Sequence, residues 1–165
     1  MQEIVAGSRV PDVQLASLDG DGAIRAVTAP DLFAYGRALV LGIPGAFTPV
    51  CTKQHVPDFI QNADRLTAVG YSHLICIAPN DPFVLDAWSR ALDPGRKIEF
   101  LSDGNLDFTR TLRLEAPNRA LFMGRCSQRY LMVVEEGVIM RLRVEEDILR
   151  YSCTRAADAL EENSV

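Results

Sequence analysis

The sequence predicts one α/β domain with a mixed central β-sheet flanked by α-helices on both faces, and three observations carry that prediction. Two short apolar runs, Ala38-Leu39-Val40-Leu41-Gly42-Ile43 and His73-Leu74-Ile75-Cys76-Ile77-Ala78, lack polar alternation and end in turn residues. Strands covered on both faces have that pattern. Between them, apolar residues recur at helical spacing. Downstream, two strand-like runs flank Glu135-Glu136-Gly137, a hairpin signal with glycine at the turn. Strand, helix, strand, helix and strand, then a hairpin and a helix, pack as a layered α/β sheet.

The elements follow in chain order. After the first strand, Val56, Phe59, Ile60, Ala63 and Leu66 predict an amphipathic helix over roughly 50–69, with Gly70 as its C-cap. Pro57 lies within that pattern and is expected to bend it, because its ring displaces one backbone hydrogen bond. Beyond the second strand, Asn80 or Asp81 caps a helix opening at Pro82, a favoured first helical position. Ile98 to Leu101 predicts a short third strand and Leu106 to Leu112 a short helix. The hairpin arms are Arg129 to Val134 and Val138 to Val144. In the second arm Val138, Met140, Leu142 and Val144 alternate with Ile139, Arg141 and Arg143, which predicts one buried and one wet face. Thr154 to Glu162 forms the last helix.

Composition narrows the function. The chain has 165 residues, 48% hydrophobic and 24% charged, which argues against a disordered or fibrous protein. No apolar run reaches the roughly 18 to 20 residues that cross a bilayer. The net charge of -5, without a basic stripe, argues against a nucleic-acid partner. The N-terminus lacks the basic and apolar regions of a secretory signal, and the C-terminal Asn163-Ser164-Val165 is no retention or peroxisomal address. A cytoplasmic, reducing setting is therefore expected, where the cysteines at 51, 76, 126 and 153 are thiols. They form no CxxC pair, and the histidines are His55 and His73 alone. A zinc site is not expected, and no cofactor is implied.

The chemistry concentrates in Ile43-Pro44-Gly45-Ala46-Phe47-Thr48-Pro49-Val50-Cys51. A buried strand ends here, a Pro-Gly turn follows, and a helix begins near Cys51. Ligand sites of such sheets lie beyond the carboxyl ends of strands. Cys51 falls in the first helical turn, where unpaired N–H groups and the macrodipole favour negative charge. A thiol there titrates below its free value of about 8.5 and yields a nucleophilic thiolate. Thr48 can bring its hydroxyl beside that sulfur, while Pro44 and Phe47 can exclude water. The loop alone leaves a second reading open, in which Cys51 is a small buried hydrophobe.

Beyond that loop, the sequence resembles a known family. Pro44-x-x-x-Thr48-x-x-Cys51 is similar to the active-site signature of the peroxiredoxins, and Pro44-Gly45-Ala46-Phe47-Thr48-Pro49 with Cys51 and His55 to that of their type-five branch, type II in plants. The resemblance continues through Asn80-Asp81-Pro82-Phe83-Val84, Trp88, and Arg129-Tyr130-Leu131-Met132-Val133-Val134 with Gly137, and spans nearly the whole chain from Gly7. It implies a thioredoxin-like fold and a thiol peroxidase without metal or haem. Cys51 would be the peroxidatic thiolate, attacking a hydroperoxide and becoming a sulfenic acid. Thr48 and the Cys51 N–H would hold the peroxide in line. Arg129 would favour the thiolate and bind the developing oxyanion, and Pro44 would shield the sulfur. Without that resemblance, Arg129 is a solvated or salt-bridged arginine.

The resemblance also implies a resolving thiol. Cys153 stands where animal members of the branch carry one, and Cys76 matches a cysteine implicated in plant members; a passive core thiol is the alternative for Cys76. Cys126 is a departure from the pattern and adds a fourth thiol near Arg129. Phe47, Phe122 and His55 are candidates for the substrate pocket, the last two with plain structural alternatives, and His73 is structural. Hydrogen peroxide and alkyl hydroperoxides are the expected substrates, with thioredoxin or a glutaredoxin–glutathione system as reductant, in a monomer or homodimer. The competing classes are a redox sensor switched by Cys51 oxidation and a disulfide reductase, which the missing CxxC opposes.

Overall fold

The two apolar runs lie at the centre of the sheet. Residues 6–161 are described by the computed structural model; Glu162 and the terminal address sequences 1–5 and 163–165 lie outside them. The strands are β1 (Gln14–Leu18), β2 (Ile24–Thr28), β3 (Arg37–Gly42), β4 (His73–Ala78), β5 (Glu99–Ser102), β6 (Glu115–Asn118), β7 (Gly124–Ser127), β8 (Tyr130–Glu135) and β9 (Val138–Val144). The helices are α1 (Ala29–Leu32), α2 (Val56–Ala68), α3 (Pro82–Leu92), α4 (Asp107–Thr111) and α5 (Ala156–Glu161). One mixed sheet runs in the order β2-β1-β5-β4-β3-β8-β9, and β6 and β7 form a separate ribbon. β3, β4 and β5 are mutually parallel, joined by α2 and α3, while β8 pairs antiparallel with β3 and β9 with β8.

The central strands are apolar throughout because each serves two cores. Leu39 and Leu41 of β3, Leu74 and Cys76 of β4, and Leu131 and Val133 of β8 face α2, α3 and α5, meeting Phe59, Leu66 and Trp88. The intervening Val40, Ile75, Ile77 and Met132 face the other side, against Phe33 and against Phe108 of α4. Burying each such large side chain contributes about 1.5–3 kcal/mol, so these layers hold the sheet between its helices. Gly42 opposes Tyr130 across β3 and β8, and the ring occupies the space a side chain would need: a Cβ there would lie 1.8 Å from Tyr130 Cε1. Gly42→Ala should therefore destabilise the protein by about 1–3 kcal/mol or more, read as a lower urea midpoint; an unchanged midpoint would mean the ring moves aside freely.

Three sequence expectations change. Pro57 does not kink α2 from within. It falls in the first turn, where its missing N–H costs little, and the distortion precedes it as a π-helical turn over Cys51–His55, where the Val56 N–H reaches back to Cys51 O. In β9 the even-numbered face breaks. Val134 pairs with Ile139 but Val133 with Arg141, so Met140 is a bulge residue. Ile139 thereby joins Leu142 and Val144 on the buried side, and Met140 is exposed. Gly70 does close α2: at φ +106 it sends its N–H to Thr67 O, and Tyr71 reaches Leu66 O. The edge strands β1 and β2, α1 and the β6–β7 ribbon add to the predicted set.

Candidate active site

The Pro44-to-Cys51 loop leaves β3 in a fixed shape. Ile43 N–H still bonds Ile77 O at 3.1 Å, as if the strand continued. Ala46 N–H then donates to Asn80 Oδ1 at 2.7 Å, and Thr48 Oγ1 donates to Gly45 O at 2.7 Å. Phe47 takes a left-handed φ of +60, which turns the chain back so that Thr52 N–H closes the first helical turn on Thr48 O at 3.0 Å. Cys51 consequently sits in that turn with no solvent exposure, among Ile43, Ala46, Val56 and Phe59. Asn80, just beyond β4, positions this loop; the sequence points to it as a helix cap and as part of the resemblance, not as a partner of this loop.

Arg129 reaches the same point from the strand side. It precedes β8 and is 1% exposed. Nη1 donates to Cys51 Sγ at 3.4 Å and lies 2.9 Å from His55 Nδ1, while Nη2 donates to Ile148 O at 2.7 Å. A buried guanidinium is costly unless a negative charge compensates it. Of these partners, the carbonyl and the imidazole are neutral acceptors. Cys51 Sγ is the direct partner able to carry that charge.

His55 is buried between Phe59 and Tyr151, with ring centroids at 5.6 and 5.0 Å. Burial first, and the Arg129 charge second, lower its pKa from 6.5 to about 3. The ring is therefore neutral at working pH, with Nδ1 accepting from Arg129. Its Nε2 makes no well-formed hydrogen bond, although the Thr154 backbone stands close enough to raise its proton affinity slightly. Because the folded pKa is depressed, the unfolded chain binds this proton first. The stability that His55 preserves is complete above pH 6.5 and drains away as the pH falls toward about 3, by up to about 1.4 kcal/mol per pH unit. His55→Asn, which keeps an acceptor without a proton to gain, should flatten that slope in urea titrations at pH 7 and pH 5. An unchanged slope would assign it to other groups.

In front of these groups lies a cavity of about 320 Å³ lined by Pro44, Phe47, Thr48, Pro49, Val50, Leu121, Met123, Arg129, Ile148 and Leu149. Cys51 is not on its wall; the sulfur lies behind it, joined to it by Arg129. Two pocket candidates need correction. Phe122 lies outside the lining and is 97% exposed, at a left-handed φ of +56. Its neighbours Leu121 and Met123 line the cavity instead. His55 stands behind Arg129 rather than on the cavity wall.

All four cysteines are free thiols. Cys76 is wholly buried in β4, and burial, followed by nearby Cys51, pushes its thiol well up. Cys126 is buried in β7, donates to Ala116 O at 3.4 Å and is raised by the same two causes. Cys153 alone is partly accessible; burial, then the Glu145 carboxylate, push it up. His73 is exposed at the start of β4. Among the described residues no cluster of His, Cys, Asp or Glu could hold a metal ion, and no helix is long and apolar enough to cross a membrane.

Cys51 opens a helix beyond the carboxyl end of β3 and meets a buried arginine, the arrangement of a reactive thiol site on an α/β sheet. Known proteins agree with this class. The redoxin family matches residues 5–160. Peroxiredoxin-2E-2, chloroplastic, of rice (Oryza sativa subsp. japonica) is 38% identical over 147 residues, covering 87% of this chain and 65% of that relative's length. Rice Peroxiredoxin-2C is 34% identical over 146 residues, with 88% of this chain and 90% of that one covered. The reduced Prx3 of Vibrio vulnificus, crystallised with hydrogen peroxide, superposes with a TM-score of 0.90 at 34% identity, covering 97% and 96% of the two chains. The chain belongs to the redoxin family, in the type-five, or plant type II, branch of the peroxiredoxins.

Proposed function

We propose that this chain reduces hydrogen peroxide and small alkyl hydroperoxides through Cys51. The observation that carries the proposal is the 3.4 Å contact from buried Arg129 to Cys51 Sγ, behind a cavity that Thr48 and Pro44 line. The thiolate attacks one peroxide oxygen; the O–O bond breaks, the sulfur becomes sulfenic acid, and the departing oxygen leaves as water or alcohol after taking a proton. Arg129, placed beside both groups, stabilises the charge developing on the leaving oxygen. Thr48 turns its hydroxyl from Gly45 O toward the bound peroxide, and Pro44 limits water at the sulfur. The apolar lining from Phe47, Leu121, Met123 and Leu149 suits alkyl substituents.

In the second half of the cycle Cys153 attacks the sulfenic sulfur, water leaves, and a Cys51–Cys153 disulfide forms once the first helical turn opens. Its partial accessibility favours it over buried Cys76. A dithiol reductant of the thioredoxin type, or glutathione with glutaredoxin, then returns both thiols. Phe47, Leu121 and Leu149 are exposed at the cavity mouth beside Phe122, an apolar rim that supports a homodimer made through these loops. Intact mass and peptide mapping after one equivalent of peroxide test the scheme. A loss of two hydrogens with a 51–153 cross-link is expected; a stable sulfenic acid on Cys51 would assign resolution to an external thiol, and oxidation elsewhere would end the proposal.

A further inference from the structure

The stretch that follows β9 is tied to the active site at several points, and Glu145 ties its two ends to each other. This residue is 4% exposed. Its N–H donates to Arg129 O at 2.9 Å. Its Oε1 accepts from the N–H groups of Ser152 at 2.7 Å, Cys153 at 2.8 Å and Thr154 at 3.1 Å, and from Thr154 Oγ1 at 2.9 Å. Oε2 accepts from Ser152 Oγ at 2.7 Å. Between these ends, Arg129 Nη2 holds Ile148 O, and Tyr151 packs on His55 and donates to Asp58 Oδ2. The turn bearing Cys153 is thus bound to the strand that supplies Arg129 and to the helix that supplies Cys51.

Burial alone would raise the Glu145 carboxyl, but the bonds from Ser152, Cys153 and Thr154 outweigh it and hold it at about 2. It is a carboxylate at every working pH. A buried carboxylate with this many donors is a rigid anchor, and none of the Cys51 chemistry uses it.

We propose that Glu145 is a positioning residue for disulfide formation: it holds the 152–154 turn against the His55 end of the active-site helix, so that Cys153 is the thiol presented when the Cys51 turn opens. This rests on the reading that Cys153 resolves Cys51. Fixing one reactant near the other raises its effective concentration, a gain set against the Glu145 charge, which pushes the Cys153 thiol up. Glu145 should accordingly leave the first oxidation untouched and govern the second step.

The test is a single-turnover comparison of wild type, Glu145→Gln and Ser152→Ala with one equivalent of hydrogen peroxide, quenched over time with a sulfenic-acid trap and read by mass. Glu145→Gln should form sulfenic acid within about twofold of the wild-type rate, yet form the 51–153 disulfide roughly tenfold or more slowly and accumulate sulfinic acid. Ser152→Ala, which removes one donor, should slow the disulfide step by about threefold. Wild-type disulfide rates in Glu145→Gln, or equal slowing of both steps, would overturn the proposal. Should Glu145→Gln fail to fold, Ser152→Ala decides: an unchanged disulfide rate overturns it. A wild-type protein that forms no 51–153 disulfide removes the reading beneath it, an outcome distinct from a variant that forms it normally.

Discussion

Cys51→Ser is expected to lose hydroperoxide reduction altogether, by on the order of 10⁴-fold or more, and to unfold at a lower urea concentration, because buried Arg129 loses its compensating anion. The sulfur is wholly buried and touches Arg129, so serine enters a site already shaped for a small group. A hydroxyl stays protonated near neutral pH and cannot serve as the compensating anion for the guanidinium, whereas a thiolate can. Peroxide consumption in the presence of a dithiol reductant measures the loss. Residual turnover above a few per cent would move the chemistry to another sulfur, and Cys153 would be the first to examine.

Arg129→Met should cost about 10²–10³-fold in the rate constant for peroxide reduction, the usual effect of removing one preorganised donor to a developing oxyanion. Methionine fills much of the buried volume without the charge; removing one member of a buried pair still costs stability, so the urea midpoint should fall. The change also removes contacts to Cys51, His55 and Ile148 together. The informative readout is therefore the first, peroxide-dependent step followed by rapid quenching, with the urea midpoint measured alongside. A rate within twofold of wild type would reduce Arg129 to a structural strut.

The sequence discloses the core more readily than the edges, for physical reasons. β3 and β4 are buried on both sides, so their composition alone identifies them. β2 is exposed along most of its length and carries no such signature. β6 contains Pro117, which counts against a strand in any larger sheet and is tolerated in a two-stranded ribbon. The β9 bulge is invisible to a period-two pattern, since an extra residue resets the parity. At the candidate site, Pro44, Thr48 and Cys51 share one loop, so the sequence alone places them together. Arg129 comes from 78 residues away, so only a resemblance could join it to them. Neither the exposure of Phe122 nor its left-handed φ follows from its residue type. Glu145 passes for a solvated acid, since its donors come from a later turn.

The chain has a single tryptophan, and its position makes it an internal optical reporter. Trp88 is buried, donates from Nε1 to Thr52 Oγ1 at 3.2 Å and lies 6.4 Å from the Phe47 ring. Those neighbours flank Cys51 in sequence. Any rearrangement of the cysteine turn disturbs the indole's polar contact and its aromatic neighbour together, so the emission of the unlabelled protein should follow each redox transition in real time.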